Sequence, residues 1–122
     1  MTKRILVVED HEDNRQILRD LLGSAGFEMI EAHDGGAALA TAAASKPDLI
    51  LMDIQLPIID GYEATRQIKA DPELKAIPVI AVTSYALSGD EAKAKAAGCD
   101  AYVAKPYSPR QLLAKIREYL PP

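Results

Sequence analysis

The chain has 122 residues, 48% apolar and 26% charged, with a net charge of −4. Such a chain builds one globular domain with a real core, which excludes a two-domain enzyme, a disordered chain and a fibrous one. No basic block marks a nucleic-acid surface, no stretch approaches membrane-spanning length, and the first apolar run is too short for a signal peptide.

The order alternates strand and helix five times. The Lys3–Arg4 pair reads as a solvated terminus, and Ile5–Val8 is then continuously apolar up to Glu9 and Asp10. A helix over about Asp13–Leu22 shows Ile17, Leu18, Leu21 and Leu22 on one side, a stripe expected to face the core. Glu28–Ala32 carries charge inside its strand pattern, which assigns it to a sheet edge. Leu49–Met52 is continuously apolar and ends at Asp53, and Asp60-Gly61-Tyr62-Glu63 has capping-box spacing. Val79–Val82 runs into Thr83. The fourth helix, roughly Ser88–Ala97, opens on a second capping-box pattern, Ser88-Gly89-Asp90-Glu91, and closes on Gly98 as a left-handed cap. Apart from Leu87 it has only alanines to bury, so it is expected to be weakly held and mobile, close packing being the other reading of the alanines. Ala101–Val103 forms a short strand followed, after Ala104, by Lys105 and Pro106, a bond where proline permits a cis peptide. Ser108-Pro109-Arg110-Gln111 combines N-cap, first-turn proline and capping glutamine ahead of a stripe of Leu112, Leu113, Ile116 and Leu120.

Alternation of this kind implies right-handed crossovers and a parallel sheet covered on both faces, an α/β doubly wound (βα)5 fold of the flavodoxin-like type. Strand order 2-1-3-4-5 sends the charged second run and the short fifth run to the edges. It leaves a crevice between the carboxyl ends of strands one and three. The whole of residues 1–122 is expected to be this single domain, with no output domain.

The strand ends therefore gather Glu9, Asp10, Asp53, Thr83 and Lys105 on one edge. Two carboxylates about 4 Å apart repel by roughly 4 kcal/mol at an effective dielectric of 20, and a third worsens the conflict. Such a pocket protonates a member or binds a cation; hard oxygen ligands suit Mg2+, with manganese or calcium as substitutes. Asp53, alone at its strand end, is the candidate nucleophile toward a phosphoryl group. Glu9 and Asp10 are the candidate metal ligands, direct or through water, while Lys105 and Thr83 are placed to meet the phosphoryl oxygens. Cys99 reads as a small half-buried structural residue, and one cysteine fits a reducing cytoplasm. His11 and His33 read as loop residues.

The segments Val7-Val8-Glu9-Asp10, Leu51-Met52-Asp53-Ile54-Gln55-Leu56-Pro57 with Asp60-Gly61, Val82-Thr83-Ser84, and Gly98-Cys99-Asp100-Ala101-Tyr102 with Lys105-Pro106 resemble the receiver domain of bacterial response regulators, the CheY-like fold. The resemblance spans the chain and is strongest toward DivK-type single-domain regulators and receivers attached to hybrid histidine kinases. It implies that Asp53 accepts a phosphoryl group from the phosphohistidine of a sensor histidine kinase or a histidine phosphotransfer protein. It implies that Glu9, Asp10, Asp53 and the backbone carbonyl of Gln55 hold Mg2+. It implies that Thr83 is the switch hydroxyl, Lys105 the phosphate-binding lysine, and Tyr102 the aromatic that turns inward. The face of helix four, strand five and helix five would then select a downstream protein target, with limited self-phosphorylation and autodephosphorylation as the only chemistry. Nucleic acid and membrane are not expected partners.

A haloacid-dehalogenase-like phosphohydrolase shares the aspartyl-phosphate and Mg2+ but needs an acid two residues after its nucleophile, where this chain has Gln55. A dinucleotide-binding domain shares the sheet but needs G-x-G-x-x-G after the first strand, where this chain has acids. A purely structural scaffold would bind partners normally with Asp53→Asn.

Overall fold

A computed structural model of the chain describes residues 2–57, 59–83 and 90–121. Strands β1 (Arg4–Val8), β2 (Glu28–Ala32), β3 (Leu49–Asp53), β4 (Val79–Thr83) and β5 (Ala101–Ala104) form one parallel sheet in the order β2-β1-β3-β4-β5. Helices α1 (Glu12–Ser24), α2 (Gly35–Ser45), α3 (Gly61–Ala70), α4 (Asp90–Ala97) and α5 (Pro109–Tyr119) alternate with them. The charged second run and the short fifth run lie at the edges, as their composition required.

Successive side chains of a strand point to opposite faces, and this parity assigns the helices. Leu6, Val8, Ile50, Met52, Val79 and Ala81 pack under α2, α3 and α4 through Ala38, Ala42, Ala64, Ile68 and Ala94. Ile5, Val7, Leu49, Leu51, Ile80 and Val103 pack under α1 and α5 through Leu18, Leu22, Leu112 and Ile116. A buried leucine or isoleucine contributes roughly 1.5–3 kcal/mol, so the leucine-rich α1/α5 layer is gripped harder than α4. Among its described residues α4 buries only Ala94 and Ala97.

Boundary chemistry follows the sequence in most places. Ser108 and Gln111 form a complete capping box on α5. Asp60 accepts from Glu63 N at 2.9 Å, but the Glu63 carboxylate accepts from Arg66 and Gln67 instead of closing a box. The pattern at Ser88 lies outside the described residues. Gly98 has φ +103°, the left-handed conformation expected of a cap.

Three expectations need correction. Ile17 does not face the core: it is 61% exposed. Leu18 and Leu22, one turn apart, occupy the buried line, and Ile17 is rotated about 100° from Leu18. Arg4 is not merely solvated, because its guanidinium reaches the carbonyls of Ser45 and Lys46 at the end of α2. Cys99 is buried rather than half-buried; its thiol lies 3.8 Å from Thr65 Oγ1, and burial pushes its pKa up, as befits an unreactive packing residue.

At the amino pole of the sheet Lys69 Nζ donates to the Ile77 carbonyl (2.8 Å), the Lys75 carbonyl (3.1 Å) and Asp100 Oδ2 (2.9 Å). Asp100 also accepts from Val79 N, and its carbonyl accepts from Tyr119. This clasp fixes the turn between α4 and β5 against α3, β4 and α5.

Gly61 brings the start of α3 onto the end of β3: a Cβ there would lie 2.7 Å from Ile54 Cα and 3.0 Å from the Asp53 carbonyl carbon. Backbone is on the receiving side, so the clash has no flexible outlet. Gly61→Ala is expected to lower stability by about 1–3 kcal/mol, read as a shifted urea midpoint, whereas Gly36→Ala, which meets only Asp34 Oδ1 at 3.5 Å, should shift it little.

Candidate functional site

β1 and β3 are in register at Val8 and Met52, so Glu9 and Asp53, the next residues along, stand side by side where the strand ladder ends. Asp53 pairs with Val82, which sets Thr83 one residue further out. Lys105 N then donates to the Thr83 carbonyl at 2.6 Å and draws the β5–α5 turn over the same edge. The Lys105–Pro106 peptide is cis. Lys105 Nζ lies 3.2 Å from Glu9 Oε1 and 3.6 Å from Asp53 Oδ2. Sequence alone could bring these residues to one edge; the structure brings them into contact.

Strand parity sorts them further. Glu9, Asp53 and Lys105 continue the α1/α5 face, and with Val7, Leu18, Leu51 and Tyr107 they line a cavity of about 10 Å³, room for one water. Thr83 continues the opposite face, and Tyr102 packs against the core beneath α2, α3 and α4. Thr83 is fully buried.

Glu9 is 3% exposed and Asp53 5%. For Glu9, burial pushes upward but is overcome by contacts with the Asp53 and Asp10 carboxyls, by Lys105 and by the His11 N–H, and the pKa falls to about 2. For Asp53, burial and the neighbouring Glu9 win over Gln55 N–H and Lys105, and the pKa rises to about 6. Lys105 is disfavoured by burial, yet the two carboxylates raise its pKa, so it stays an ammonium at neutral pH.

Glu9 is fully engaged. Its Oε1 accepts from Asn14 Nδ2 (2.9 Å) and Lys105, and its Oε2 from His11 N (3.3 Å). Asp10 Oδ1 is the opposite case: it is buried without a hydrogen-bond partner among the described residues, 3.1 Å from His11 Nδ1 but out of hydrogen-bond geometry. An orphaned carboxylate oxygen clustered with the buried Glu9 carboxylate, itself next to Asp53, offers the hard oxygen donors a divalent cation requires, so the residues fit Mg2+. Gln55, whose carbonyl is the remaining expected ligand, donates its N–H to Asp53 Oδ1 at 3.0 Å.

A model of the response regulator receiver domain matches residues 5–117. The chain belongs to that family. It is a signalling protein of two-component systems rather than an enzyme, and a receiver of this kind works with a histidine kinase. It is 48% identical over 120 residues to the polar-differentiation response regulator DivK of Brucella abortus (strain 2308), with 98% of both chains covered. The DivK of Brucella anthropi is 47% identical over the same share. Among solved structures it resembles the receiver domain of a sensor histidine kinase from Pseudomonas aeruginosa PAO1, which has a magnesium ion coordinated in its active site cleft (TM-score 0.91, 36% identity, 98% of each chain). It also resembles the chemotaxis protein CheY4 of Vibrio cholerae (TM-score 0.92, 28% identity, 98% and 99% covered). The DivK-type and hybrid-kinase likenesses expected from the motifs are both found.

Sequence reasoning missed Asn14, Arg15 and Tyr107. Their spacing from Glu9 or Lys105 could have placed Asn14 and Arg15 on the first turns of α1, but not aimed them.

The two shifts act on stability in opposite senses. Asp53, raised from 3.8 to about 6, contributes stability below pH 3.8 that is lost as pH rises through 6. Glu9, lowered from 4.5 to about 2, contributes stability above pH 4.5 that is lost as pH falls toward 2. Without divalent metal, Asp53→Asn should therefore be more stable than wild type at pH 7, by on the order of 2–3 kcal/mol. The gain should shrink toward pH 4, as read by urea unfolding in EDTA.

Proposed function

We propose that Asp53 is the phosphoacceptor of this receiver, with Glu9, Asp10, Asp53 and the Gln55 carbonyl as the Mg2+ site. The observation that carries the reading is a buried Asp53 carboxyl between the Lys105 ammonium and Glu9, whose carboxylate in turn clusters with the orphaned Asp10 oxygen. The magnesium ion in the cleft of the Pseudomonas receiver supports the metal assignment. Mg2+ supplies positive charge that offsets the carboxylates and the incoming phosphoryl oxygens.

The remaining steps belong to the chain's own side chains. Gln55 N–H orients Asp53 through Oδ1. An Asp53 oxygen attacks phosphorus on a partner's phosphohistidine; the O–P bond forms as the N–P bond breaks, and the imidazole nitrogen takes the bonding pair. Lys105, already protonated, meets the charge on the transferred group. The acyl phosphate adds about −1.5 to −2 of charge and three acceptor oxygens. Thr83 donates to one of these, and Tyr102, beside β4 in register with Ala81, takes up the space it leaves. The lightly anchored α4 follows, and the α4–β5–α5 face selects a downstream protein.

The phosphoryl donor is a sensor histidine kinase or a histidine phosphotransfer protein. A free-standing cytoplasmic receiver over 1–122 is the preferred architecture, supported by DivK relatives matched over 98% of their length. A receiver segment of a hybrid kinase is the second reading, favoured by the Pseudomonas neighbour. Among the described residues no helix is long and apolar enough to cross a membrane.

Acetyl phosphate with Mg2+ should add one phosphate to the wild type by intact-mass spectrometry, and none with EDTA or in Asp53→Asn. Modification of Asp53→Asn would place the acceptor elsewhere. For the output face, Tyr102→Ala should still accept one phosphate but lose the phosphorylation-dependent gain in target binding, measured by calorimetry with and without the phosphoryl mimic beryllofluoride.

A further inference from the structure

The guanidinium of Arg15 is a buried charge that has no part in the phosphoryl-transfer steps proposed above. It is 6% exposed, and such burial is costly unless the charge is well partnered. Nη1 donates to the backbone carbonyl of Glu9 at 2.8 Å, Nη2 to Glu12 Oε2 at 2.6 Å, and Nε stands 3.3 Å from Glu31 Oε1 without a hydrogen bond. Glu31 is itself held by Arg19, whose Nη2 donates to Oε1 at 2.6 Å and Nε to Oε2 at 3.2 Å.

The Glu9 carbonyl is an unusual place to spend such a group. Glu9 is the first residue beyond β1, and its N–H still reaches the Ala32 carbonyl at 3.1 Å. Its own carbonyl has left the ladder and takes its hydrogen bond from Arg15. That carbonyl belongs to the peptide joining Glu9 to Asp10, so its rotation sets where both acid side chains point. Remove the donor and a buried acceptor is left unsatisfied, or the peptide turns to find water. The first outcome leaves the peptide without its anchor, and the second redirects the Glu9 and Asp10 side chains together.

We infer that Arg15 is a positioning residue of the metal site: from α1 it locks the Glu9–Asp10 peptide and so fixes the directions in which the two acid side chains leave the end of β1. The Glu12 hydrogen bond holds the guanidinium in that orientation, whereas Glu31, which makes no hydrogen bond to it, only offsets its charge. The inference rests on the reading of Glu9 and Asp10 as Mg2+ ligands. Loss of a group that orients metal ligands from behind costs about 10–100-fold in affinity.

The test is Mg2+ titration followed by backbone amide shifts in NMR, together with urea unfolding of each variant. Wild type should saturate, and Arg15→Met should need about tenfold more Mg2+ for half-saturation. Arg15→Lys, which keeps one donor, should recover part of the loss. Glu31→Gln, which leaves the Glu9 carbonyl bond in place, should bind Mg2+ as wild type does even where it is less stable. Wild-type affinity in Arg15→Met overturns the inference, as does an equal loss in Glu31→Gln. Should Arg15→Met not fold, Arg15→Gln, two heavy atoms shorter, is read with the same outcomes. A wild type that takes up no Mg2+ would instead defeat the metal-site reading itself.

Discussion

Two carboxyl groups forced together at neighbouring strand ends are the constraint from which the rest of this protein follows. The register of β1 against β3 is set by an apolar core on both faces, so Glu9 and Asp53 cannot separate without breaking the sheet. Repulsion of a few kcal/mol at that spacing is modest against the burial of a dozen large side chains. The fold tolerates the conflict, and the conflict gives the site its appetite for positive charge. Lys105, Asn14 and the His11 N–H answer it for Glu9; Asp53 has only the Gln55 N–H and the same Lys105, and its carboxyl is pushed up to about 6.

Much of this was legible in the residues themselves. Continuously apolar runs ending in Glu9-Asp10, Asp53 and Thr83 specify parallel strands and the edge on which chemistry gathers, because parallel strands are buried on both faces and end together. Charge in Glu28–Ala32 located one edge of the sheet. What failed was local orientation. Ile17 and Leu18 are adjacent in any hydrophobic count, yet only a fixed helix phase says which of them faces Leu22, and α1 chose Leu18. Arg4 looked like a charged end because nothing in its neighbourhood announces that α2 finishes beside it.

The same limit hid the supporting layer. Asn14 and Arg15 carry no motif of their own, and polar residues on an early helical turn are ordinarily solvated. Only the approach angle of α1 to β1 turns one toward the Glu9 carboxylate and the other toward the Glu9 carbonyl. Side chains that bear the chemistry announce themselves by type, whereas those that aim it are visible only in three dimensions.

Strand parity has one more consequence. Glu9, Asp53 and Lys105 belong to one side of the sheet, Thr83 and Tyr102 to the other. The strand rows between the two sides are apolar and buried, Val7, Val8, Leu51, Met52, Ile80 and Ala81 among them. On the proposed reading, a change at Asp53 reaches Thr83 at the rim, because Thr83 stands one residue beyond Val82, the β4 partner of Asp53. The middle of the sheet would then serve as insulation and the rim as the doorway.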